Sequence, residues 1–127
     1  MGRAARFLVV AGALVLAAGV ALGAIGAHAA RSAPHPEAAR LVQTAVLYQL
    51  VHGLGLVLAG VLARFGATRW LLAAGAAFLL GIAAFCGSLY FLAFTGVSGG
   101  LLAPVGGSSF IAGWILLALH AFAAERG

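Results

Sequence analysis

The chain has 127 residues, 65% of them hydrophobic and 7% charged, with a net charge of +5. A soluble domain carries about 25% charged residues, so a water-facing surface cannot be built and the chain reads as an integral membrane protein. All seven basic residues are arginines, lying singly or in pairs at the ends of apolar runs. There they act as topology signals, and no nucleic-acid partner is expected.

A helix needs about 20 apolar residues to cross the hydrocarbon. The first candidate runs uncharged from Phe7 to Ala27, about 31 Å at 1.5 Å per residue, and ends in Ala27-His28-Ala29. Two arginines before it and a small-x-small triplet after it also describe a secretory signal peptide. The apolar core of such a peptide is about 7–15 residues, shorter than this run. Gly12, Gly19, Gly23 and Gly26 are seven, four and three apart, on one helical face. Small residues there let a neighbouring helix approach closely, so the first helix is expected to be retained.

The second helix is predicted over 37–64, with Pro36 and Glu37 suiting its N-terminus. The third is predicted over 69–95 after the short "RFGATR". The fourth is predicted over 107–124, with Ser108 as N-cap. With a first helix over 6–29, the whole chain, 1–127, forms a single four-helix membrane domain. The segment "APVGGSSF" is expected to fold back over the bundle mouth as an apolar cap, because Pro104 disfavours helix at Ala103. Gly106 and Gly107 would then allow a positive-φ turn or a close backbone contact. Gly53 with Gly60, and Gly106 with Gly113, are pairs seven apart. The fold class is therefore an all-α, small-residue-packed bundle of four transmembrane helices.

With four spans, Arg3, Arg6, Arg64, Arg69 and Arg126 share one side, against Arg31 and Arg40 on the other. The positive-inside rule puts both termini in the cytoplasm, and the composition points to a bacterial inner membrane.

Intramembrane polar groups are costly and default to functional hypotheses. They cluster in the outer halves of the spans: His28 on the first, Gln43, Tyr48, Gln49 and His52 on the second, Ser88, Tyr90 and Thr95 on the third, Ser108 and Ser109 on the fourth. His52 shares a face with Tyr48 or Gln49 by helical spacing, and each of its ring nitrogens needs a partner. Tyr48, Ser88 or a water could serve. Gly106 and Gly107 before Ser108 would leave free N–H groups over this cluster, a ready anion site. The candidate ligand-binding set is thus His28, Gln43, Tyr48, Gln49, His52, Ser88, Tyr90, Pro104, Gly106 and Ser108. His35 and His120 read as incidental.

The only acids, Glu37 and Glu125, lie outside the spans. A proton-coupled carboxylate relay and two-carboxylate hydrolysis therefore have no candidates, and a Ser88–His52 pair lacks an orienting acid. One cysteine, Cys86, excludes an internal disulfide and multi-cysteine metal sites. No metal or cofactor is expected.

The strings "GAIGAHAA", "QTAVLYQLVHGL", "CGSLYFLAFTG" and "APVGGSSFIAGW", in this order and spacing, resemble a family of small four-helix membrane proteins. It is catalogued as a domain of unknown function, number four-two-three, with bacterial YgdD- and YwdK-like members and a similar eukaryotic transmembrane protein two-five-six. Ile25, Cys86 and Ala103 depart from the family's usual aromatic, serine and threonine. The resemblance implies an uncleaved first helix and a four-span fold, and no activity. The expected function is non-catalytic: binding a lipid or amphiphile in the outer half of the bundle, or serving as accessory subunit of a membrane complex. Membrane lipids are the expected partners, with other membrane proteins or further copies of the chain beside them. The alternatives are an intramembrane enzyme with His52 as general base and an oligomeric small-solute transporter.

Overall fold

The structure, a computed structural model, describes residues 1–126. Four helices, each long and apolar enough to cross a membrane, make up nearly all of it: α1 Arg3–Ser32, α2 Ala38–Ala63, α3 Arg69–Thr95 and α4 Leu102–Glu125. Among the described residues there is no strand. The protein is an all-α integral membrane bundle. α2 is the most buried helix, α3 the next, and α1 and α4 flank them.

Helix ends follow local chemistry. Thr68 caps α3, its hydroxyl accepting the Leu71 N–H at 3.2 Å. Gly96 ends α3 at φ 73°, with its N–H on the Leu92 carbonyl. That left-handed stop suits glycine, which has no Cβ to clash. At the start of α2, the Arg40 guanidinium bonds the Glu37 carboxylate and holds that carboxyl below its usual range.

The fourth helix begins at Leu102, not at 107, so the expected cap over "APVGGSSF" does not exist. Pro104 lies in the first helical turn, where its missing N–H would have had no acceptor. Gly106 and Gly107 are helical, and Ser108 is no N-cap: its hydroxyl donates to the Pro104 carbonyl at 2.8 Å. Of the two roles the sequence allows Gly106, close backbone contact is the one realised. A Cβ there would sit 2.4 Å from the Phe85 nitrogen.

Two adjacent hairpins organise the bundle. In the first, α1 lies along α2. A Cβ on Gly12 would meet the Gly53 carbonyl at 2.8 Å, and one on Gly60 would meet the Val9 nitrogen at 2.9 Å. In the second, α3 lies along α4, with Gly81 against the Phe110 ring and Gly113 against the Phe78 ring. α1 and α3 each contain one π-helical turn, Leu22–Gly26 and Ile82–Cys86. Leu8, Leu56, Leu71, Phe78 and Phe110 fill the core between the hairpins.

Candidate functional site

α2 and α4 run parallel on either side of α3, and aromatic rings bridge the space between them. His52 is buried in the middle of α2. Its Nδ1 is 2.7 Å from the Tyr48 carbonyl oxygen, one turn back. The Trp114 indole N–H on α4 donates to its Nε2 at 3.0 Å. An indole nitrogen only donates, so Nε2 carries the lone pair and Nδ1 the proton. The imidazole is neutral and both nitrogens are satisfied. Its face lies on Phe110, centroids 3.6 Å apart and planes 13° from parallel. Phe78 touches both partners, 5.6 Å from His52 and 4.7 Å from Trp114.

Beside this stack a groove of about 400 Å3 opens sideways between α2 and α4. Tyr48 and Val51 form one wall, Ile111 and Trp114 the other, and Phe85 and Gly107 the end. Pockets that hold small ligands run about 300–1,000 Å3. Tyr48 reaches Phe85 with a centroid distance of 4.7 Å. The two acids, Glu37 and Glu125, sit at helix ends away from this groove, and the His52 lone pair is engaged by Trp114. The arrangement is therefore poorly suited to proton abstraction, which needs a base within reach of the substrate proton. It is well suited to holding apolar matter.

A second polar knot forms one turn from His52 on α2, around Gln49. The Gln49 amide nitrogen donates to the Val15 carbonyl of α1 at 3.0 Å, and its oxygen accepts the Tyr90 hydroxyl of α3 at 2.7 Å. One side chain thereby joins three helices.

The structure brings together Tyr48 with His52, and Gln49 with Tyr90. It separates the other candidates. Ser88 is buried but donates to the Phe85 carbonyl of its own helix, at 3.0 Å, and not to His52. His28, Gln43, Pro104 and Ser108 are exposed on outer faces. Gly106 packs against Phe85 and lines nothing. The expected anion site at Gly106–Ser108 is overturned, because those N–H groups lie inside α4 and not at its start.

Polarity alone does not single out Trp114, since its one N–H is carried on a large apolar ring. Depth does. Counted from the starts of the parallel helices, Ala38 and Leu102, His52 is about 21 Å in and Trp114 about 18 Å in, at 1.5 Å per residue. His120 is also more than incidental: it is buried, its Nδ1 2.8 Å from the Thr68 hydroxyl. Ser109 crosses from α4 to the Ala77 carbonyl of α3 at 2.7 Å.

The family described as "Protein of unknown function (DUF423)" matches residues 22–107, from the end of α1 into α4. The chain belongs to the DUF423 family. A UPF0382 membrane protein of Staphylococcus haemolyticus is 38% identical over 92% of this chain and 96% of its own length. YwdK of Bacillus subtilis, a UPF0382 membrane protein, is 33% identical over 91% of this chain and 96% of its own. YgdD of Escherichia coli K12, a UPF0382 inner membrane protein, is 33% identical over 95% of this chain and 93% of its own. No solved structure matches the chain. This DUF423 chain is thus a bacterial-type membrane protein whose relatives share its length, and the family's description assigns no activity.

Proposed function

We propose that the protein is a non-catalytic binder of a membrane lipid, one acyl chain of which occupies the groove between α2 and α4. The observation that carries this reading is the groove itself: open sideways at mid-helix, lined by aromatic and aliphatic side chains, with its one buried polar ring closed off internally. At that depth the medium that meets it is bilayer hydrocarbon. Both termini face the cytoplasm in this reading, supported by five arginines on their side against two on the other.

Gly107 gives a clean test. A Cβ there would touch only Phe85, at an ordinary 3.9 Å, so a larger residue fills the groove without forcing the helices apart. Native mass spectrometry from mild detergent should find lipid on the unaltered protein, lost in Gly107→Leu and kept in Gly87→Leu. Gly87 is exposed, with nothing near its Cβ position. Bare protein throughout would overturn the proposal. For orientation, on a Cys86→Ala background Ser98→Cys should label from outside and Ala67→Cys only from inside; the reverse pattern would invert the topology.

A further inference from the structure

The bundle end that carries Arg3, Arg6, Arg64, Arg69 and Arg126 contains one acid, Glu125. Among the described residues the one ion pair, Glu37 with Arg40, lies at the opposite end. Arg69 and Arg126 thus face no paired carboxylate among those residues. Between the start of α3 and the end of α4 lies a cleft of about 350 Å3, lined by Trp70, Leu119, Phe122, Ala123 and Arg126. The Arg69 guanidinium is held over the Trp70 ring, 4.8 Å from its centroid. The walls are fastened to each other: the Thr68 hydroxyl caps α3 and also bonds His120 of α4.

The cleft is therefore two-sided in chemistry. Its deeper part is apolar, from Leu119, Phe122 and the Trp70 ring. Its rim is cationic, from Arg126 with Arg69 adjoining. Guanidinium groups match phosphate oxygens in a forked geometry, and tryptophan favours the level of lipid headgroups. An arginine near an anionic lipid surface favours binding by about five-fold. A neutral lipid would leave the charge of this rim unanswered.

We infer that this cleft is a binding site for an anionic phospholipid, with Arg69 and Arg126 holding the phosphate-bearing headgroup and Trp70, Leu119 and Phe122 the start of an acyl chain. It shares no lining residue with the α2–α4 groove, so the two sites stand or fall separately.

Trp70 reports on it directly. The chain has two tryptophans, and Trp114→Phe leaves Trp70 as the only indole. In phosphatidylcholine nanodiscs, brominated phosphatidylglycerol should quench Trp70 at about 25-fold lower mole fraction than brominated phosphatidylcholine, about five-fold for each of the two arginines. Arg69→Gln with Arg126→Gln should bring the two lipids level. Arg3→Gln with Arg6→Gln removes the same charge from the same end and should leave the preference intact, as should Gly107→Leu. Equal quenching by both lipids in the starting protein overturns the inference, as does equal loss from the two arginine pairs. Displacement of the brominated lipid by millimolar inorganic phosphate would assign the arginines to a free anion and also overturn it. Because Trp114 supports the groove, the unaltered chain is tested too, by native mass spectrometry after reconstitution in equal amounts of both lipids. Preferential retention of phosphatidylglycerol, lost in the Arg69/Arg126 variant, is expected; equal retention overturns the site.

Discussion

The two hairpins use the same residue for different ends. In α1–α2, glycine lets backbone meet backbone: a Cβ on Gly12 would strike the Gly53 carbonyl and the Val57 nitrogen. In α3–α4, Gly81 and Gly113 make room for the Phe110 and Phe78 rings, and Gly106 alone presses on backbone, at Phe85. The first arrangement gives a close seam. The second draws rings between the helices, and those rings reach on to His52 and Trp114. The difference teaches that a glycine stripe marks close approach without saying what approaches. Only the second kind builds the wall of a groove.

That comparison can be broken by substitution. The largest effect is expected at Gly12→Val, because backbone atoms cannot move aside as a side chain can. Overpacking costs about 1–3 kcal/mol and occasionally more, and this site belongs at the upper end. Val57→Ala should not rescue it in a detergent thermal-unfolding series, since the Gly53 carbonyl remains in place. Rescue there would mean the first seam is made by side chains after all. Next is Gly81→Ala, which collides with a ring that another substitution can remove. Combined with Phe110→Leu it should be less destabilising than the sum of the two single changes, by about 0.5–3 kcal/mol. Additive losses would show that Gly81 and Phe110 do not press on each other. The smallest effect is Trp114→Phe, which keeps the ring contacts and removes the donor to His52. Hydrogen bonds between membrane helices average about 0.6 kcal/mol and reach about 1.7. Unfolding in detergent should register a loss in that range; a loss beyond about 3 kcal/mol would make the indole a packing residue first.

Helix number and approximate limits were legible because the hydrocarbon thickness sets them, and the arginines mark where the spans stop. The start of α4 was not. Pro104, Gly106 and Gly107 are breakers in the interior of a helix exposed to water, but Pro104 falls in the first turn and Gly106 is needed against Phe85. Within the candidate site, His52 was legible from charge-bearing chemistry at depth. Which way each polar side chain faces was less so. Both sides of a membrane helix are apolar, one towards its neighbours and one towards lipid, so hydrophobic periodicity carries little facing information. His28, Gln43 and Ser108 are polar yet face outward, while Phe85 and Phe110, silent as sequence, line the groove and Phe78 packs behind its His52 and Trp114.

The π-helical turn at Ile82–Cys86 carries a consequence for changes of chain length. Before it, α3 buries Leu71, Ala74, Gly75, Phe78 and Gly81, a helical stripe; within it Ala84 and Cys86 are buried, and after it Ser88 and Ala93. The wider turn takes up one extra residue, and thereby aims Tyr90 at Gln49. Ala83 within it is exposed, so exchanging its side chain changes little. Deleting it would leave ordinary α-helix with everything beyond facing as before; inserting one more residue there would instead rotate everything beyond by about 100°. Tyr90 would swing away from Gln49, and the bond that ties α3 to α1 through α2 would be lost. On this helix a lost residue leaves the register intact, and an added one has no further turn to absorb it.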